Sequence, residues 1–262
     1  VACEGTLGAA LPDGGAVGAD ASPGSDGGLD PASDAGSSPG AEDAGAADGG
    51  REEPPGDGGA RCDPAAEGTI VDPRDCHPYA VVTIGEQTWL AENLVFETDR
   101  GSACYDDDPD HCARYGRLYD WAAALDLDAS ANAERVRPPS APRGLCPPGW
   151  HIPSSDDWEQ LFEAAGGSDE AAPSLRADSE LWQQGTSNDD TGFGALPGGY
   201  RRGSRFALLG FQAQFQASDE TGDESAAFMF LSGISDRARV DDDDRGSDND
   251  KTRFRSVRCL RD

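Results

Sequence analysis

Large apolar side chains are scarce at the start of the chain and then arrive in short, patterned bursts. Ala80-Val81-Val82-Thr83-Ile84 reads as a strand. Gly85-Glu86 followed by Gln87-Thr88-Trp89-Leu90 predicts a tight hairpin, with glycine first in a two-residue turn. Leu118, Trp121, Ala122 and Leu125 recur at helical spacing and predict a short helix. Trp158, Leu161, Phe162 and Ala165 repeat that spacing. Ser154 and Asp157 give this second helix a capping-box start, and Gly166-Gly167 ends it. Further on, Phe211, Ala213 and Phe215 alternate, as do Phe228 and Phe230, which predicts strands. The chain closes on Ser256-Val257-Arg258-Cys259-Leu260, read as a last strand. Two short helices among irregular strands and loops predict an α+β domain.

Composition divides the chain at residue 62. All five Trp, all five Tyr and all nine Phe lie in 62–262, the predicted folded domain. Residues 4–61 are Gly, Ala, Asp, Pro and Ser with almost no large apolar group. Such a stretch buries too little surface to offset its ordering entropy, so a disordered tether is expected. As a flexible coil it would span roughly 40 Å. It follows Val1-Ala2-Cys3, which resembles the end of a bacterial lipoprotein signal, with Cys3 as the lipidated residue. These features predict a lipid-anchored protein of the outer membrane or cell surface, touching the membrane through its anchor only.

Charge narrows the choice of partner. The chain carries 21 basic and 50 acidic side chains, for a net charge of −29. Nucleic acid is excluded as a partner, because phosphate contacts need Lys and Arg. Acidic loops raise calcium instead, since hard oxygen ligands suit it. Asp106, Asp108, Asp241 and Asp243 are the candidate ligands, with solvated acidic loops as the alternative. The runs show no EF-hand spacing.

Six cysteines remain beyond Cys3, and the sequence alone leaves their pairing open. Local spacing favours Cys62 with Cys76 and Cys104 with Cys112, which leaves Cys146 for Cys259. Three disulfides imply an oxidising compartment. A metal site is the rival, and the chain lacks a CxxC pair for it. No Gly-x-Ser-x-Gly pattern is present in 62–262, and no P-loop pattern occurs in the chain. His151 has no second histidine near it in sequence, which favours a packed, hydrogen-bonded role over a catalytic one. No catalytic residue is assigned.

The stretches "TIGEQTWLAENL" (83–94), "CARYGRLYDWAAAL" (112–125), "LCPPGWHIPSSDDW" (145–158), "GFGALPGGYR" (192–201) and "SVRCL" (256–260) together resemble the Fibrobacter succinogenes major paralogous domain, over about 67–262. That resemblance implies a bacterial secreted or surface protein of undefined molecular activity. A more distant resemblance, carried by "WHIPSSDDWEQL" and the terminal "VRC", is to formylglycine-generating-type domains, and implies a C-type-lectin-like fold. The expected function is non-enzymatic binding or adhesion to a polysaccharide or surface protein. An enzyme on the formylglycine-generating frame and a purely structural envelope protein are the rivals. The enzyme would need a reactive cysteine pair, which disulfide bonding would remove.

Overall fold

The computed structural model describes residues 62–243 and 248–262. The expected tether and Cys3 lie outside them. The first half carries β1 (Thr69–Val71), β2 (Pro78–Ile84), β3 (Gln87–Leu90), β4 (Ser102–Ala103), α1 (Pro109–Tyr115), β5 (Leu118–Tyr119) and α2 (Trp121–Ala124). Next come β6 (Trp150–His151), α3 (Ser155–Ala164), α4 (Ala172–Leu175), β7 (Tyr200–Arg202) and β8 (Arg205–Ala207). The remainder is β9 (Gln212–Glu220), β10 (Ala226–Ser232), β11 (Ala238–Asp241), β12 (Arg255–Ser256) and β13 (Leu260–Arg261). The class is α+β, with few short helices and mostly antiparallel sheets.

Two larger sheets organise these elements. One has the order β1-β2-β3-β13-β6, the other β11-β10-β9-β12-β5-β4. Their pairings are antiparallel except for β12 beside β9. The expected hairpin is β2–β3, joined by Gly85 at φ +60° and in register from Ile84–Gln87 to Val81–Leu90. Glycine fits there because a β-carbon at positive φ is strained, and one would also meet the Ala164 side chain at 3.0 Å.

The closing stretch is not one strand. Ser256 pairs in one sheet, Leu260 in the other, and Val257-Arg258-Cys259 crosses between them. The Leu94 and Leu90 amides donate to the Val257 and Cys259 carbonyls on the way. The crossing separates two cores. Val257 and Cys259 join Tyr79, Leu90, Trp150 and Cys146. The larger cluster contains Trp89, Trp158, Phe193 and Phe215, with Trp89 and Trp158 stacked at 4.8 Å. An aromatic pair of this kind adds about 1 kcal/mol beyond its buried area.

Helix α3 begins as its sequence predicts. Ser154 Oγ accepts from the Asp157 amide and the Asp157 carboxylate accepts from the Ser154 amide, a complete capping box. Trp158, Leu161 and Phe162 are buried, while Glu159, Gln160 and Glu163 face solvent. The other predicted helix is shorter than its pattern. Leu118 is taken by β5, and Asp120 caps α2 by accepting from the Ala123 amide.

The alternation at Phe228 and Phe230 predicts a strand, and β10 is that strand. Met229 and Leu231 enter the core, whereas Phe228 and Phe230 lie on the opposite face under Arg255 and Arg239, at 4.1 and 4.9 Å. Helix α1 is an addition to the expected pair. Asp108 caps it and Pro109 opens it, a favoured first-turn combination.

The disulfides are Cys62–Cys76, Cys104–Cys112 and Cys146–Cys259. The last closes a separation of 113 residues, for which the chain-entropy model gives about 4–5 kcal/mol.

Candidate functional site

The conspicuous sequence stretches converge on one buried guanidinium. Arg258 is fully buried, and among the described residues its hydrogen-bond partners are an amide oxygen and three carbonyls. Its Nε and Nη2 donate to Asn93 Oδ1 at 3.1 and 2.7 Å. Nη1 donates to the Leu90 and Phe193 carbonyls, and Nη2 also reaches the Gly194 carbonyl. The ring of Phe193 lies 4.4 Å away. Asn93 in turn donates to the Tyr115 carbonyl at 2.8 Å and contacts Ser256 Oγ at 3.4 Å. Residues from 83–94, 112–125, 192–201 and 256–260 therefore meet in one polar knot. Burial pushes the Arg258 pKa down to about 9, partly offset by Glu92 and Asp189, so it stays charged at neutral pH. Its setting is structural, with no route to solvent.

Lys251, the chain's one lysine, is held in the same manner. Its Nζ donates to the carbonyls of Ala131, Glu134 and Asp223 at 2.9 Å and to Glu220 Oε1 at 2.6 Å. The Trp121 ring lies 4.3 Å from Nζ. The Glu220 carboxylate also accepts from the Val136 and Arg137 amides. Burial raises the Glu220 pKa, but Lys251 and the two amides outweigh it, and the net direction is down.

The residues singled out in the sequence fall in separate places. Asp106 sits at φ +54° inside the loop closed by Cys104–Cys112. The Asp108 carboxylate is used as a helix cap, accepting from the Asp110 amide at 3.0 Å. Asp241 ends β11, its carbonyl accepting from Asn249, and Asp243 follows shortly after. The first pair follows β4 and the second follows β11, the opposite edges of a six-stranded sheet. Among the described residues no group of three or more His, Cys, Asp or Glu side chains is placed to hold a metal.

His151 is buried. Its Nδ1 lies 2.9 Å from Asp262 Oδ1 and its Nε2 lies 3.8 Å from Asp157 Oδ2. Burial lowers its pKa, its hydrogen bonds to the Asp157 and Asp262 carboxylates raise it, and the net direction is up. Ser154 Oγ donates to Asp157, not to the imidazole, so no nucleophile–base pair forms. All six described cysteines are disulfide-bonded, which leaves no thiolate among them.

What is open to a ligand is a groove of about 1240 Å³ that no single sequence stretch announces. The β2–β3 turn, the exposed side of α3 and the strand pair β10–β11 with the loop that joins them form its walls. Its apolar surface includes Phe230, Val240 and Ile234, the last 79 % exposed. Glu86, Asp156, Glu159 and Glu163 line it with no partner among the described residues. Two cations face them. Arg237 is engaged by Asp169 at 2.9 Å, and Arg239 lies over Phe230 with Asp241 at 3.9 Å.

This is a disulfide-braced α+β domain with a buried cationic knot and an acidic groove. The family model described as the Fibrobacter succinogenes major domain matches residues 82–261, and the chain belongs to that family. The match begins later than the 67 read from the sequence. No curated protein and no solved structure matches the chain.

Proposed function

We propose that this chain is a lipid-anchored protein of the bacterial surface whose folded domain is a non-enzymatic binding or adhesion module. The single observation that carries the binding reading is the groove between α3 and β11, a concave surface bearing unpartnered carboxylates beside apolar side chains. Three disulfides support an oxidising compartment. Val1-Ala2-Cys3 and the low-complexity stretch after it support anchoring through Cys3. A C-type-lectin-like fold is part of the same proposal. Its support is the pairing of the final strand β13 with the early strand β3 and the Cys146–Cys259 bridge behind them.

The test uses the full chain. Immobilised protein is presented with polysaccharides and bacterial surface proteins, and Phe230→Ala and Ile234→Ser variants run beside it. Specific capture that weakens in the variants supports the reading. Binding to nothing across both panels overturns it. Anchoring is tested separately, by palmitate labelling in a bacterial host with Cys3→Ala as the control.

A further inference from the structure

The groove's electrostatics favour one class of occupant. Its four unpartnered carboxylates stand on two walls, Glu86 on the hairpin turn and Asp156, Glu159 and Glu163 on α3. The facing cations are already engaged, so the open surface presents negative charge beside apolar side chains, Phe230 on the outer face of the sheet, Val240 on its core face and Ile234 in the loop between β10 and β11. A second copy of the chain is a poor occupant, because each copy carries a net charge of −29.

The wall itself adds a backbone feature. β11 is the edge strand of its sheet. The Ala238 amide turns outward to donate to the Ser168 carbonyl at 2.9 Å. Strand alternation then turns the Val240 amide and carbonyl the same way, away from β10. A strand edge left open at Val240, with apolar side chains beside it, suits an extended chain better than a sugar ring.

We infer that the groove takes an extended, basic segment of a partner protein. The segment's Lys or Arg side chains meet Glu86, Glu159 and Glu163, an aliphatic side chain packs on Ile234 and Phe230, and its backbone pairs at Val240. This deepens the binding reading above and rests on it.

The probe is a labelled peptide of about ten residues alternating arginine and leucine, followed by fluorescence anisotropy with the full chain at about 0.15 M salt. Its glutamate–leucine counterpart is the charge-reversed control. Two variants alter the groove, Glu159→Gln with Glu163→Gln, and Ile234→Ser. A third, Asp106→Asn with Asp107→Asn, removes equal charge outside it. Each groove variant is expected to lose roughly tenfold in affinity, about 1.4 kcal/mol, while the distant variant stays within about twofold. Equal losses in all three variants reduce the binding to non-specific attraction and overturn the inference. So does a groove-dependent neutral polysaccharide with no groove-dependent peptide binding, which spares the broader binding reading. If neither the peptide, nor a polysaccharide panel, nor a surface-protein panel binds, both fall.

Discussion

At Arg258 one guanidinium is fully buried, and every hydrogen-bond partner it has is a neutral oxygen. Across the α3–β11 groove, four carboxylates stand without partners at the edge of solvent. The first arrangement is costly to assemble and costly to break. A charge out of water needs its whole donor fan satisfied, and the loops that satisfy it are thereby fixed. The second costs the fold little, because each carboxylate keeps most of its hydration. Most of the family stretches meet at the first region, whereas the second takes Glu86 and Asp156 from those stretches and Glu159 and Glu163 from outside them.

The largest expected effect is at the knot. Arg258→Ala strips the donors from Asn93 and three carbonyls and is expected to lower stability by about 4 kcal/mol, read as a drop in the denaturation midpoint. Arg258→Lys is expected to recover little, since an ammonium lacks the planar fork. A change under about 1 kcal/mol would remove the contrast between the regions. Close behind, the paired change Cys146→Ala with Cys259→Ala is expected to cost about 4 kcal/mol in the same measurement.

A smaller effect is tied to pH. The His151 pKa is raised in the fold by Asp157 and Asp262 against the pull of burial. Its contribution to stability is thus complete below the ordinary value of 6.5 and is lost as pH rises through the higher folded value. Wild type should lose its advantage over His151→Gln as pH climbs through that window, and an advantage that grows with pH would reverse the sign. The smallest effect is at the groove. Glu159→Gln with Glu163→Gln is expected to change stability by no more than about 0.5 kcal/mol while weakening a basic ligand. A large destabilisation there would make the groove part of the scaffold.

Legibility follows the range of the interactions. The capping box of α3, the Gly85 turn and the pairing within the Cys104–Cys112 loop are decided over a few residues, and each can be read locally. Phe228 and Phe230 correctly mark the strand, while the long-range Arg255 and Arg239 that cover their face lie outside any local window. The neighbouring Ala227, Met229 and Leu231 carried the core signal. The closing stretch misleads because its two ends pair in different sheets, which no periodicity encodes. For α1 the signal was present in Asp108-Pro109, an N-cap followed by proline, and was absorbed into the reading of an acidic loop. The groove combines residues near 85, 160 and 235, so no window of sequence contains it. The acidic pairs chosen for calcium were defined by runs along the chain, and the sheet carries those runs to opposite edges.

The cage around Lys251 has a practical consequence for chemistry performed on this molecule. It is the chain's one lysine, and its amine is enclosed by three carbonyls, a carboxylate and an indole face. An amine-directed acylating reagent finds no side-chain target on the folded domain. Acylation at that position requires the segments around Ala131, Glu134 and Asp223 to part. Its rate is a clock for local opening, readable one residue at a time by mass spectrometry.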